Sequence, residues 1–137
     1  MRQVLVDANV FVSFLVERNE SQRASAKALF DAAGDGEIEA FVTQFGVFEV
    51  THVLQSFYAM PIPRVATLVR DMIALPGVKA IDDCPWKKVF EYWPEQLPGL
   101  ADAATVAVAI ANRYDAVATF DQKMLKRMQS LSVESYW

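Results

Sequence analysis

The sequence predicts a three-layer α/β/α fold, in which a central, mostly parallel sheet of four to five short strands lies between about seven helices. Short runs rich in β-branched residues alternate with longer helical stretches along the chain, which is the order of a parallel sheet. One helical stretch, residues 101–114, is apolar on nearly every side and is therefore expected to be central and buried. With 137 residues, 53% of them hydrophobic, the chain is expected to form a single domain over residues 1–137.

The first half of the chain predicts two strands and four helices. The predicted elements are a strand at 3–6, helices at 8–15 and 21–33, a strand at 38–42, a helix from Thr43 to about Tyr58, and a helix from Pro61 and Pro63 to Leu75. Thr43 is expected to cap its helix, while the Gly34-Asp35-Gly36 turn and the Pro76-Gly77 pair stop the helices before them.

The second half continues the alternation. It predicts a strand at 78–81, a helix at 86–96 after Pro85, the buried helix at 101–114, a strand at 116–119, a helix at 121–128 and a final short strand at 131–134. No repeat, low-complexity segment or internal linker interrupts this order. The sheet is therefore expected to be covered by helices on both faces.

Charge and cysteine content restrict the class of protein. With 17 acids against 13 bases the formal charge is −4, which argues against a protein that coats nucleic acid non-specifically. Cys84 has no partner for an intramolecular disulfide, as is usual in a reducing cytosol. Asp7 splits the apolar N-terminal stretch, and no uncharged run approaches the roughly 18 residues of a membrane span. We expect a soluble, cytoplasmic protein without a membrane partner.

Three acids occupy positions where a parallel sheet places ligand-binding groups. Asp7 ends the first predicted strand, and Asp121 follows the strand at 116–119. Asp102 lies in the first turn of the buried helix. Ligands bind at the carboxyl ends of the strands in such sheets, so these acids are candidates for one site. Each also has a simpler interpretation, because Asp7 and Asp121 can be helix N-caps and Asp102 can complement a helix dipole.

Glu49 is the fourth candidate acid. It lies in the second turn of its predicted helix, too far in to cap it, and Phe45 and Val53 are its neighbours one turn away. A solvated helix edge is the alternative. If the four acids converge, they cannot all ionise without a cation, and a hard divalent ion such as Mg²⁺ or Mn²⁺ prefers oxygen ligands. The implied chemistry is hydrolysis of phosphodiester bonds.

Four segments together carry a resemblance to a known family. They are VLVDANVF at the start, Glu49 inside a mid-chain helix, LADAA around Asp102, and ATFD ending at Asp121. In order, spacing and chain length the sequence resembles the PIN (PilT N-terminus) domain, and within it the VapC-type toxins of toxin–antitoxin modules. The similarity extends over essentially the whole chain.

The resemblance implies an Mg²⁺- or Mn²⁺-dependent endoribonuclease, a hydrolase that is the toxin of a type II toxin–antitoxin system. Asp7, Glu49, Asp102 and Asp121 correspond to the catalytic, metal-binding acids, and Thr119 and Asn9 match positions that often line the site. It further implies an RNA substrate, a small antitoxin whose C-terminal segment wraps the nuclease, and contact with DNA only through that antitoxin. A homodimer is also expected.

Two other functions remain open at this point. In a phosphotransfer or phosphatase-like domain Asp7 would be phosphorylated, but Asp7-Ala8-Asn9 lacks the second acid of such motifs and no Walker-type phosphate loop occurs. In a non-catalytic interaction module the acids would only cap helices.

Further side chains are weaker candidates for the site or its surroundings. His52 follows Glu49 by about one turn but is more typical of a surface residue. Two groups of basic residues have positions that allow contacts with phosphates, and ordinary solvated helix faces are the alternative. One group is Lys123, Lys126 and Arg127, and the other is Arg18, Arg23 and Lys27. An aromatic set is expected in the core or at a homodimer or antitoxin interface: Phe57, Tyr58, Trp86, Phe90, Tyr92 and Trp93.

Overall fold

The computed structural model describes all 137 residues and contains four strands and seven helices. In chain order they are β1 (Arg2–Val6), α1 (Ala8–Leu15), α2 (Glu20–Gly34), β2 (Ile38–Thr43), α3 (Gln44–Ser56), α4 (Ile62–Ile73), β3 (Val78–Ile81), α5 (Trp86–Tyr92), α6 (Leu100–Ala111), β4 (Ala116–Ala118) and α7 (Gln122–Ser130). The predicted class of fold is confirmed. None of the helices combines the length and the apolar character needed to cross a lipid bilayer.

The four strands form one parallel sheet in the order β3-β2-β1-β4. Successive residues of β1 face opposite sides of it: Val4 and Val6 join the core under α1 to α4, while Leu5 joins the core under α5 to α7. The two hydrophobic cores therefore separate three layers, with helices on both faces of the sheet. This is the architecture that the alternation of strands and helices predicts.

The predicted fifth strand, at 131–134, is wrong. Residues beyond α7 form a turn in which Ser132 has φ +58, and only a single isolated bridge pairs Val117 with Ser135. One bridge is not a strand, because the left-handed turn brings the chain alongside β4 for too short a distance to build a ladder. The sheet consequently has four strands.

Two helices end earlier than their apolar patterns predict. The helix predicted over 86–96 stops at Tyr92, since Trp93 precedes Pro94 and takes an extended conformation, which the residue before a proline favours. The helix predicted over 101–114 stops at Ala111, and Arg113 turns the chain with φ +55. Its residues 103–109 are all buried, so the expected central position of α6 is confirmed.

The strand order sets the location of the site. From β1 the chain crosses to β2 on one side, whereas β4 pairs with β1 on the other side. The connections therefore diverge at the carboxyl ends of β1 and β4, which is where a crevice opens in sheets of this kind. Thr43, at the end of β2, caps α3 as predicted, because its hydroxyl accepts from the Gly46 N–H at 2.9 Å.

Candidate active site

A small cleft opens at the carboxyl ends of β1 and β4, and all four candidate acids line it. Its volume is about 130 Å³, and its walls are Asp7, Ala8, Asn9, Val12, Arg18, Glu49, Val53, Asp102 and Asp121. Acids separated by up to 114 positions in the chain thus share one enclosure, as the sheet-edge argument predicts. The helices α1, α3 and α6 contribute side chains to it, with Glu49 and Val53 in the second and third turns of α3, and Asp121 contributes from the N-cap of α7.

Asp7 is both an N-cap and a wall of the cleft. It ends β1 with its side chain almost fully buried, and its Oδ1 accepts from the Ala8 N–H at 2.9 Å. Its Oδ2 accepts from the Thr119 hydroxyl at 2.9 Å and from the Asn9 amide at 3.2 Å. The capping interpretation of this residue is therefore correct, and it does not remove Asp7 from the site.

Asn9 and Thr119 join the start of α1 to the end of β4. The Asn9 amide donates to the Thr119 hydroxyl at 3.0 Å, while Asn9 Oδ1 accepts from the Phe120 N–H at 3.0 Å. Thr119 Oγ1 also accepts from the Asp121 N–H at 3.2 Å. Asn9 lines the cleft, but Thr119 lies buried behind Asp7. Both side chains are thus placed to hold the acids in position.

Asp121 is held in a similar way to Asp7. It caps α7, with Oδ1 accepting from the Lys123 N–H at 2.9 Å and from the Met124 N–H at 3.2 Å. Its own N–H is bonded to Thr119. The backbone at the end of β4 and the first turn of α7 therefore fix the Asp121 carboxylate at one edge of the cleft.

Glu49 and Asp102 differ, because no hydrogen bond holds either carboxylate. Partial burial raises the pKa of Glu49, and the charge of Asp102 raises it further. Burial likewise raises the pKa of Asp102, where the charge of Asp121 adds to the effect and the guanidinium of Arg127 opposes it. Ionisation of either carboxylate is therefore unfavourable in this environment, partly because of burial and partly because of the negative charges nearby.

Asp7 has the largest perturbation. The pKa of Asp7 is raised from 3.8 to about 7, chiefly by burial and to a smaller extent by the charges of Glu49 and Asp102. The hydrogen bonds from Thr119 and the Ala8 N–H oppose this by stabilising the ionised form. The pKa of the buried Asp7 carboxyl thus lies close to neutral pH. A divalent cation beside it would favour its ionised form.

The oxygen atoms of the cleft suit a hard cation, whereas the spacing of the acids limits how many of them can bind one ion directly. The cleft offers only carboxylate, amide and carbonyl oxygens, which are the ligands that Mg²⁺ and Mn²⁺ prefer. No three acidic, histidine or cysteine side chains stand close enough together to bind one ion. Mg²⁺ usually keeps several waters and takes only one or two carboxylates directly. The residues present therefore fit an ion bound by few side chains and several waters.

The structure places the other candidates from the sequence at different distances from the cleft. His52 is exposed, contacts Ser56 and does not line the cleft. Lys123 and Lys126 are exposed on α7, while Arg127 is close enough to lower the pKa of Asp102.

The three bases near α1 and α2 also diverge. Arg18 lines the cleft, but Arg23 pairs with Glu17 at 3.1 Å and Lys27 with Asp31 at 2.7 Å on the exposed side of α2.

The aromatic set is only partly in the core. Tyr58, Tyr92 and Trp93 are half-buried, whereas Trp86, Phe90 and Phe57 are 53%, 59% and 78% exposed. Assignment of those last three to the core is wrong, because α5 is a short peripheral helix that buries only Val89, and Phe57 lies just beyond the end of α3. Their predicted role at an interface stays a prediction.

One residue next to the site was not singled out from the sequence. Ser13 is fully buried in α1, donates to Gln22 Oε1 at 2.9 Å and accepts from Arg18 Nε at 3.0 Å. The available signal was a single hydroxyl inside an otherwise apolar run, Phe11 to Val16. A buried hydroxyl needs hydrogen-bond partners, and one of the two partners of Ser13 is Arg18, a residue of the cleft.

Comparisons with known proteins agree with the fold. The family model of the PIN domain matches residues 4–130. Among curated proteins, no sequence matches significantly. Two solved structures share the fold. The sarcin–ricin-loop-cleaving toxin VapC20 of Mycobacterium tuberculosis superposes with a TM-score of 0.71 at 13% identity, covering 90% of this chain and 93% of its own. PAE2754 from Pyrobaculum aerophilum gives 0.66 at 16% identity, covering 92% and 84%.

Proposed function

The chain belongs to the PIN domain family, and from this premise we propose that it is a metal-dependent endoribonuclease, the toxin of a toxin–antitoxin module. The observation that carries the proposal is the convergence of Asp7, Glu49, Asp102 and Asp121 on one cleft at the carboxyl ends of β1 and β4. The shared fold with VapC20, described as a toxin that cleaves the sarcin–ricin loop, supports the same function. Phosphodiester hydrolysis is the reaction that such an acidic cleft serves.

The four acids are proposed to hold Mg²⁺ or Mn²⁺ together with several bound waters, with Asp7 and Asp102 as the principal ligands. Such an ion supplies positive charge at the scissile phosphate and makes a nearby water more acidic. The acids alone would repel an RNA phosphate, since each is negatively charged when ionised. Metal binding is therefore expected to be a condition for productive RNA binding as well as for hydrolysis.

The protein's own contribution is to fix the ligands in advance. Thr119 and Asn9 hold Oδ2 of Asp7, and the first turn of α7 holds Oδ1 of Asp121. The carboxylates of Asp7 and Asp121 thus need not reorganise when the substrate arrives. Glu49 and Asp102 lack such restraints, so they are free to adjust to an ion and to the phosphate.

The first test compares Asp7→Asn with Asp71→Asn, a matched control on the exposed side of α4. RNA cleavage is measured with Mg²⁺ or Mn²⁺ and with a chelator, and growth arrest is measured on expression. Asp7→Asn is expected to abolish both, because an amide cannot neutralise the cation, whereas Asp71→Asn retains both. Full activity of Asp7→Asn contradicts the proposal.

The two alternative functions give different results in further assays. Binding of Mn²⁺ by calorimetry, lost in Asp102→Ala, favours the nuclease, whereas the absence of binding favours an interaction module. A trapped acyl-phosphate on Asp7 would instead indicate phosphotransfer.

The proposed partners are an RNA substrate, a second copy of the chain and a small antitoxin. The exposed aromatic side chains of Trp86, Phe90 and Phe57 support a protein interface, since large exposed apolar side chains often mark one. Light scattering of the purified chain tests the homodimer. Co-expression with the product of a neighbouring short gene tests whether the growth arrest is relieved.

A further inference from the structure

Arg18 is the only basic residue among the walls of the acidic cleft. It lies in the short connection between α1 and α2, beyond the C-terminal end of α1. We propose that its guanidinium is a binding site for a backbone phosphate of the substrate, next to the four acids. This inference rests on the proposed ribonuclease function and assigns the residue that receives the RNA backbone.

Two hydrogen bonds fix the guanidinium of Arg18. Its Nε donates to Ser13 Oγ at 3.0 Å, and its Nη2 donates to the backbone carbonyl of Asn9 at 3.0 Å. Ser13 has no solvent exposure and is held in turn by Gln22 of α2. Because bonds to two different residues restrain a planar group, the orientation of the fork is set before any ligand arrives.

The remaining donors of Arg18 are free. A guanidinium has five N–H groups, and the two hydrogen bonds leave the others without a protein acceptor. None of the four ion pairs of the structure includes Arg18, although four acids line the same cleft. Arg23, five positions later, makes the usual pairing with Glu17. The anchors on Ser13 and Asn9 thus keep the Arg18 charge available to another anion.

A phosphodiester is the anion that this arrangement suits. The planar fork of arginine matches two phosphate oxygens, and charge-assisted hydrogen bonds of this type are stronger than neutral ones. A fixed positive charge at the wall also reduces the repulsion between the acids and an approaching phosphate. Contacts with backbone phosphates orient the nucleic acid without reading its sequence. Arg18 is therefore expected to serve every RNA that the cleft accepts.

The test uses the full chain with Mn²⁺ and compares Arg18→Gln with Arg23→Gln. Cleavage of a single-stranded RNA oligonucleotide and its binding, followed by fluorescence anisotropy, are measured over a series of salt concentrations. Arg18→Gln is expected to lower kcat/KM by about 10- to 100-fold, as for loss of a charged hydrogen-bonding group. The slope of log affinity against log salt should fall by about 1. Arg23→Gln should match the wild type in both assays.

Two further variants separate phosphate binding from a structural role. Arg18→Lys retains the charge but not the fork, so it should recover only part of the loss. Ser13→Ala removes one anchor while retaining the guanidinium, and should cost less than Arg18→Gln and add little to it in the double variant. Mn²⁺ affinity, measured by calorimetry, should stay within about 2-fold of the wild type in Arg18→Gln, a change too small to matter against a tenfold step.

The outcomes distinguish this inference from the function on which it rests. A wild-type chain that neither cleaves nor binds the oligonucleotide with Mn²⁺ overturns both. A wild-type chain that cleaves it, together with an Arg18→Gln variant of equal kcat/KM and salt slope, overturns only the assignment of Arg18. Loss of Mn²⁺ affinity in Arg18→Gln equal to its loss of kcat/KM also overturns the assignment, since the residue would then act through the metal site.

Discussion

The cleft has two sides that are built differently. On the side of the sheet, Asp7 and Asp121 follow β1 and β4 directly, and each carboxylate accepts hydrogen bonds from the first turn of the helix that it caps. Glu49 and Asp102, the helical side, project from α3 and α6, which cover opposite faces of the sheet, and no hydrogen bond restrains either carboxylate. The sheet side is therefore fixed by hydrogen bonds, whereas the helical side is not.

This difference bears on the proposed metal site. In the proposed ribonuclease the restrained pair would define where a cation and a phosphate bind, because its oxygens are held by backbone N–H groups and by the side chains of Thr119 and Asn9. The unrestrained pair carries raised pKa values caused by burial and by neighbouring acids, as Asp7 of the restrained pair also does. A cation would therefore favour ionisation in both pairs, whereas hydrogen bonds fix only one of them.

The largest effect on catalysis, together with that of Asp7→Asn, is expected for Asp102→Asn. This change removes a proposed principal ligand from the unrestrained side and should reduce RNA cleavage by about 10³-fold or more, since a catalytic cation is worth several kcal/mol. Because no hydrogen bond is lost, stability without metal should not fall. Steady-state cleavage and urea unfolding in a chelator measure both. A variant that unfolds more easily than the wild type would contradict the absence of restraint on this side.

The next effect concerns the pH dependence of stability without metal. The pKa of Asp7 is raised from 3.8 to about 7, so the folded state holds its proton over that interval while the unfolded state releases it. Stability is then full below pH 3.8 and declines as pH rises through 7, by up to about 4 kcal/mol from this residue. The raised pKa values of Glu49 and Asp102 act in the same direction.

Asp7→Asn isolates this contribution. Asparagine is also a good N-cap, so the variant should retain its fold and be more stable than the wild type at pH 7.5 in a chelator. The difference should vanish near pH 4. Urea unfolding at several pH values measures it, with Asp71→Asn expected to follow the wild type. A constant difference across the pH range would mean that the charge of Asp7 is not the cause.

A smaller effect is expected when the restraint itself is removed. Thr119→Val deletes the hydroxyl that donates to Asp7 and accepts from the Asp121 N–H, which should reduce stability by about 1–3 kcal/mol. It should also raise the pKa of Asp7 further, because that hydrogen bond lowers it. The acid limb of the pH–rate profile is then expected to move to higher pH. Thr67→Val, at an exposed position on α4, should change neither quantity.

The smallest change in stability is expected for Asp121→Asn. The substitution retains an oxygen that can cap α7, so the free energy of unfolding should change by less than about 1 kcal/mol. Cleavage should nevertheless fall, because a negative charge is lost from the cleft. Comparison with Asp102→Asn then shows whether the two sides of the cleft contribute unequally to catalysis. Equal losses in the two variants would remove the distinction.

Much of the sheet side was predictable from the sequence. Asp7 and Asp121 end β-branched runs, and the carboxyl ends of neighbouring parallel strands must lie at one edge of a sheet. The position of Glu49 depended more on the family resemblance, since a mid-helix acid has several allowed surroundings. The prediction of a strand at 131–134 was wrong because a turn after α7 prevents the chain from pairing with β4 over more than one bridge. The apolar pattern of the sequence does not indicate that turn.

The restraints and the basic wall were not predictable in the same way. The bond from Thr119 to Asp7 joins residues 112 positions apart, and no local pattern specifies it. Arg18, Arg23 and Lys27 are equivalent in the sequence, but only Arg18 lies within reach of the buried Ser13 hydroxyl. Which base lines the cleft thus depends on the packing of α1 against α2, which the sequence specifies only through the whole fold.

The separation between Asp7 and its partner Thr119 has a consequence for biosynthesis. During synthesis Asp7 is made early, whereas Thr119 follows it by 112 positions and Asp121 comes later still. Folding during synthesis proceeds from the N-terminus, so the cleft cannot be completed until β4 has joined β1. A nascent chain still attached to its own ribosome is therefore without a complete acidic site until β4 has been made and has paired with β1.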